Sequence, residues 1–293
     1  RDSLYILDGK TYRVFDGTNL KNAEDAAYIP TTYINIIPAG ENADIGKEYE
    51  QRNILQPKFR HTFIADGKTT DFVLNEQGLV SVDSVKLYGT EKTAETDYTV
   101  DLAAGTVKFT TPPPKPETVP QSGGEGGDGV KYPEFYAGVE IIASKPVQRM
   151  SGVTESAPGG IISGCTIATT FDDRVFLSGN PNFPNHIFWC GKNSTGYSDP
   201  TYFGILNYQA DGVENAPVTG MIPVADTLAV LKADTVQDGS VYFHSPKIGD
   251  SDLLPKQYPS SRGLSGIGCL GACANFLDCL LYTSPSPRDG LLS

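Results

Sequence analysis

Three stretches of the chain share one form, two β-rich runs joined by a short polar turn. They are 4–15 (LYILDGKTYRVF), 174–189 (RVFLSGNPNFPNHIFW) and 227–243 (TLAVLKADTVQDGSVYF). Turns of the Asp-Gly, Gly-Asn-Pro-Asn and Gln-Asp-Gly kind suit hairpins, because Gly and Asn accept the positive φ that matches strand twist. Helical periodicity is almost absent from the rest. A repeated hairpin points to a modular all-β fold. The second and third hairpins start 53 residues apart, close to the roughly 40–50 residues of one four-stranded propeller blade. A partial β-propeller-like repeat is the first expectation, and a multi-sheet sandwich the second.

From Arg60 the texture changes. Residues 61–74 (HTFIADGKTTDFVL) predict a hairpin about Asp66-Gly67, and 97–109 (DYTVDLAAGTVKF) a second about Ala104-Gly105. Alternation of apolar and polar residues in the latter puts one face on a core. Further strands are expected at 85–88 and 139–143. Between them, 112–133 is dense in Pro and Gly and is expected to be a disordered loop without the means to bury a core. Residues 60–145 therefore read as a small β-sandwich inserted into a hairpin-repeat domain made of 1–59 and 146–278. Without the insertion, the first and second hairpins lie about two blade lengths apart. Within 1–59, a β-rich run spans 27–37 with Pro30 at an edge or bend, and 48–55 reads as a short helix or an ordered loop.

The C-terminal run 279–289 (CLLYTSPSPRD) resembles the conceptual translation of a transposase adapter used in sequencing libraries. Residues 279–293 are expected to be non-native and to add nothing to the fold, since Ser-Pro-Ser-Pro holds neither helix nor central strand. With Arg1 in place of Met, the chain reads as an internal fragment cut at both ends.

A net charge of −12 argues against coating nucleic acid or anionic membrane, both of which need a positive surface. No apolar run is long enough to span a membrane as a helix. Outside the tail the cysteines are Cys165, Cys190, Cys269 and Cys273, with no Cys-x-x-Cys spacing; buried free thiols are expected.

Chemistry-bearing patterns are few. His186 and Cys190 share a strand face, but a zinc site needs three or four ligands, and His61 and His244 have no sequence-local partner. A rim histidine and a packed thiol are the expectation. Asn42-x-Asp44-x-Gly46-x-Glu48 lacks the full calcium-loop spacing. Asp172 and Asp173 are adjacent, so on a strand they point to opposite faces and cannot flank one sugar; they are expected to cap the turn before Arg174. No nucleophile elbow, Walker loop or His-Glu-x-x-His helix occurs. No catalytic residue, metal site or cofactor is assigned. The remaining candidates are Trp189, Tyr197, Tyr202, Phe203 and Tyr208, read as a protein-contact or sugar-stacking surface, with packing between blades as the competing reading.

Here the residues carry a resemblance. The runs VFLSGNPNFPNHIFWCG (175–191), DPTYFGILNY (199–208), PVTGMIPVADTLAVLK (217–232) and SVYFHSP (240–246) resemble virion structural proteins of tailed bacteriophages. The nearest class is the propeller-like tail-accessory or packaged-DNA-stabilisation proteins of the head–tail junction. The segments HTFIADGKTTDFVL and DYTVDLAAGTVKFTTPP resemble a β-sandwich module recurring in phage tail and fibre proteins. The resemblance implies a non-enzymatic component of the tail or head–tail connection, localised to the virion. It implies partners among portal, connector or tail subunits, homo-oligomeric assembly, an ability to contact packaged DNA, and no membrane association. The alternative it leaves is a receptor-binding or carbohydrate-binding or -cleaving tail propeller.

Overall fold

The computed structural model describes residues 4–36, 47–48, 50–115, 138–149, 153–154, 160–233, 240–247, 256–265, 269, 273–276 and 279–282. Among them the only α-helix is a single turn, α1 (Gly160–Ser163), and all other regular elements are strands. The all-β class is therefore as expected. The chain forms two compact units: a meander unit of Arg1–Ala27, Ala157–Lys192 and Ser198–Ser293, and a sandwich unit of Tyr28–Ser156 with Asn193–Tyr197.

The meander unit opens with β1 (Leu4–Leu7), β2 (Tyr12–Phe15) and β3 (Leu20–Asn22), an antiparallel sheet in chain order. Its two turns are closed alike. Asp8 Oδ1 accepts from the amides of Lys10 (2.8 Å) and Thr11 (2.6 Å). Asp16 Oδ1 accepts from Thr18 (3.0 Å) and Asn19 (2.8 Å). Gly9 follows Asp8 at φ 78° and Gly17 follows Asp16 at φ 91°, the left-handed region that only Gly enters freely. Tyr12 is buried and anchors the sheet by donating to the Pro200 carbonyl, 2.9 Å away.

The sandwich unit contains β4 (Thr31–Ile36), β5 (Lys47–Glu48), β6 (Lys58–Phe63), β7 (Asp71–Val73), β8 (Ser81–Leu87), β9 (Thr90–Glu91), β10 (Tyr98–Asp101), β11 (Thr106–Phe109) and β12 (Val139–Ser144). A short pair follows, β13 (Gln148–Arg149) with β14 (Val153–Thr154). One sheet runs β5-β4-β6-β12-β8-β9 and the other β10-β11-β7. Phe59, Phe63, Val85, Val139 and Ile141 of the first close one core with Phe72, Tyr98, Val107 and Phe109 of the second.

Two expectations are corrected here. The 61–74 segment is not a hairpin, because β6 and β7 lie in different sheets. Phe63 and Phe72 meet edge-to-face at 5.2 Å within the shared core, so the connection arches from one layer to the other. Its Asp-Gly turn still forms, with Asp66 Oδ1 accepting from Lys68 (2.8 Å) and Thr69 (2.7 Å). The unit also begins at Tyr28, not Arg60, and ends at Ser156. The reason is pairing: β4, assigned from sequence to the hairpin repeat, lies parallel to β6. The 97–109 hairpin forms as expected, Tyr98 opposite Phe109. Residues 50–57 are an ordered loop, pinned by Arg52, which donates to the carbonyls of Pro57 (2.9 Å) and Lys145 (2.7 Å). Of the Pro- and Gly-rich loop, 112–115 is described and has no regular structure; residues 116–137 lie outside the described residues, as do 37–46 of the partial calcium-loop pattern.

The meander unit resumes with β15 (Ile167–Phe171), β16 (Arg174–Ser178), β17 (His186–Trp189) and β18 (Tyr208–Ala210), then β19 (Val218–Val224), β20 (Thr227–Lys232), β21 (Ser240–His244) and β22 (Ser260–Ser265). Each set of four is an antiparallel meander in chain order. Phe176, Ile187 and Trp189 of the first pack against Val218, Met221, Leu228, Val230 and Tyr242 of the second. The far face of β20 is covered as well, Ala229 and Leu231 packing with Val241 and Cys269. Cover on both faces explains why β20 reads TLAVLK with no polar alternation, as a strand with one wet face would show. The turn between β15 and β16 consists of Asp172 and Asp173, at φ 50° and 57°. Two successive left-handed residues are the geometry of a tight two-residue hairpin turn, so the pair makes the turn itself.

Last come β23 (Cys273–Phe276) and β24 (Cys279–Tyr282), paired antiparallel. This corrects the expectation that 279–293 adds nothing to the fold: Cys-Leu-Leu-Tyr ahead of the prolines is β-prone and pairs with the run before it. Residues 283–293 lie outside the described residues.

Candidate interaction surface

The five aromatics singled out from sequence do not form one surface. Trp189, Tyr202 and Phe203 are buried, which corrects their assignment as contact residues. Trp189 lies between the meanders, its ring centroid 5.9 Å from Phe176 and 5.2 Å from Tyr258. Phe203 packs edge-on against Tyr12 at 6.3 Å. Tyr202 is held by its backbone, donating to the Asp199 carbonyl at 2.9 Å and accepting from Gly191 N at 2.7 Å. A Cβ at Gly191 would stand 2.6 Å from the Tyr202 ring. Tyr208 is half-buried and stacks on the His186 ring at 5.8 Å. Tyr197 alone is open, 75% exposed, in the 193–197 loop of the sandwich unit. An apolar ring in a β-rich run signals burial or contact equally, and only tertiary cover distinguishes them.

The surface missed from sequence is the outer face of the β1–β3 sheet. Leu4, Phe15 and Leu20 stand directly opposite one another across three strands, so their side chains share a face. They are 59%, 38% and 50% exposed, and Ile6, two residues from Leu4 on that face, is 41% exposed. The reverse face carries Tyr12 and the half-buried Tyr5, Leu7 and Val14. LYIL and YRVF are apolar at both alternating sets of positions; that doubling was the available signal, because a strand with one wet face needs only one set.

Buried polar chemistry concentrates at Asp211. His244 Nε2 lies 2.7 Å from Asp211 Oδ2, and His244 Nδ1 lies 2.9 Å from the Tyr258 carbonyl. Lys232, also fully buried, donates through Nζ to the carbonyls of Asp211 and, at 3.0 Å, Val213. The Tyr258 hydroxyl donates to Asp172 Oδ2 at 2.8 Å, and burial pushes its ionisation far up. These groups clamp the 211–213 loop to β20 and β21. With no solvent exposure at His244 or Lys232, no substrate reaches them, and the arrangement holds structure.

No group of three His, Cys, Asp or Glu able to hold a metal occurs among the described residues. Asn185 Oδ1 sits 3.0 Å from His186 Nδ1. Cys190 Sγ accepts from Val175 N at 3.2 Å, and burial pushes its thiol up to about 11, which keeps it inert. Cys165, Cys190 and Cys269 are buried thiols outside any disulfide, as expected. The sandwich carries a shallow depression of about 280 Å³ lined by Asp71, Thr99, Val100, Asp101, Thr106 and Lys108. Asp71 is 3.5 Å from Lys108, and no aromatic ring lines the depression, so it lacks the stacking platform a sugar site uses.

No protein-family model, curated protein or solved structure matches the chain.

Proposed function

We propose that the chain is a non-enzymatic structural component of a bacteriophage tail or head–tail connection, working through protein–protein contacts between several copies in the particle. The observation that carries this reading is the outer face of the β1–β3 sheet, where Leu4, Ile6, Phe15 and Leu20 are presented together. Clustered exposed apolar side chains of this kind favour association, each worth about 1.5–3 kcal/mol when fully covered. Charge indicates what covers them. Residues 4–22 carry three cations, Lys10, Arg13 and Lys21, against two carboxylates, in a chain of net charge −12. The sheet is thus locally basic, and the acidic remainder of a second copy complements it. Contact between two different patches of identical subunits builds rings or stacks, the form of a tail or connector. Two four-stranded meanders packed face to face suit a propeller-like body. The same negative charge suits a component that neighbours packaged DNA without gripping it.

Mass spectrometry of purified particles from a phage carrying the gene tests the proposal. The protein is expected among the virion components; its absence from particles, with release as free soluble protein at lysis, overturns it.

A further inference from the structure

Two fully buried histidines sit in opposite surroundings, one in each unit. His244 of the meander unit faces an acceptor at each ring nitrogen, the Tyr258 carbonyl at 2.9 Å and Asp211 Oδ2 at 2.7 Å. Both ring nitrogens of His244 therefore have a polar partner inside the folded unit. His61 of the sandwich unit has no hydrogen-bond partner at either nitrogen. Its ring lies against Phe63 (4.2 Å, 20°) and Tyr33 (4.9 Å).

The position of His61 explains its isolation. It alternates with Phe59 and Phe63 on the core face of β6, opposite Ile141 of β12. On that face stand the Tyr33 phenol of β4, the Tyr98 phenol across the core, and the Arg52 guanidinium, which lies over the Phe59 ring at 4.3 Å and is paired with Glu76 at 3.1 Å, itself 2.7 Å from Lys145. Lys58, Arg60, Lys86 and Glu140 alternate onto the other face of the same sheet. Asp71 and Lys108 lie on the outer face of the second sheet. Loss of water is the one cause acting on His61, and it drives ionisation from the ordinary 6.5 down to about 3.

We propose that His61 makes the sandwich unit an acid-sensitive latch, which opens as pH falls while the meander unit stays closed. A protonated imidazolium has no acceptor in the closed core and gains water only when the two sheets part. The sign follows from linkage. The folded state refuses a proton that the opened state takes, so the stabilisation is full above about 6.5 and falls away as pH drops toward about 3. Across that window the opening equilibrium rises by about tenfold per pH unit. In the meander unit the buried histidines differ in geometry: His244 faces Asp211 Oδ2 and the Tyr258 carbonyl, and His186 Nδ1 faces Asn185 Oδ1 at 3.0 Å.

The test is hydrogen–deuterium exchange on the full chain between pH 7.5 and 4.5, read as protection factors. Peptides covering 58–63 and 139–144 are expected to open about 100-fold more at pH 4.5 than at 7.5, while those covering 174–178 and 227–232 hold. His61→Phe is expected to abolish the difference. Loss of protection in both units together, or an unchanged acid response in His61→Phe, overturns the proposal. Should that variant fail to fold, histidine ring NMR of the unaltered chain decides. A His61 signal that stays neutral below pH 5 in the folded state supports the latch, and one titrating near 6.5 overturns it.

Discussion

At the scale of single residues, the clamp around Asp211 is costly to break. Removing one partner leaves a charge in a place water does not reach. His244→Ala is expected to destabilise the meander unit by about 3–5 kcal/mol, because Asp211 keeps its burial and loses its partner. Replacing Asp211 and His244 together with apolar side chains of similar volume is expected to cost far less, since no buried polar group of the pair is then left without a partner. Urea denaturation of both variants checks this, and equal losses count against it. None of the clamp was legible in the sequence. Asp211 precedes His244 by 33 positions, and a histidine with no local partner looks the same whether it is solvated or paired through space. Trp189 and Tyr202 failed for a related reason: sequence shows an aromatic ring but not what lies over it.

At the scale of elements, strands were largely legible and their partners less so. The 4–15, 97–109 and 174–189 hairpins pair as their β-rich runs and turn residues indicate. The 61–74 segment carries the same Asp-Gly-Lys-Thr turn as 4–15, yet its strands go to separate sheets. An Asp-Gly turn reverses the chain; whether the return strand stays in the layer depends on where Phe63 and Phe72 find cover. The position of β4 has a direct consequence for the boundary read from sequence. Excising 60–145 removes most of β6 and all of β12, leaving β4 without its parallel neighbour and Phe59 without a core. That deletion is expected to give insoluble protein or one lacking cooperative unfolding, as judged by soluble yield and circular dichroism. A soluble, cooperative product would restore the narrower boundary.

At the scale of the molecule, the chain is a set of small, mostly antiparallel sheets with a net charge of −12 and an apolar sheet face on a locally basic segment. If that face joins copies, charge on it separates them. Phe15→Asp combined with Leu20→Asp is expected to shift sedimentation of the purified chain toward the monomer without lowering its unfolding temperature, since both side chains are already open to water. An unchanged sedimentation profile would remove the β1–β3 face from consideration. The class of fold followed from hairpin repetition, whereas the face did not: exposure of Leu4 and Leu20 depends on what the rest of the chain leaves uncovered.

The Asp-Gly turns also bear on how the chain ages. In an Asp-Gly pair, attack of the Gly amide nitrogen on the side-chain carboxyl gives a cyclic imide that reopens largely to isoaspartate. In the folded hairpins Asp8 Oδ1 is engaged by the amides of Thr11 and Lys10, and those bonds hold its carboxyl below the usual range. At Asp66 burial pushes the other way, yet the amides of Thr69 and Lys68 outweigh it. An ionised carboxylate bound to amides further along the chain is a poor electrophile for its own neighbour. Folding therefore slows the reaction and unfolding releases it, so isoaspartate at positions 8 and 66 would accumulate as a covalent record of time spent unfolded.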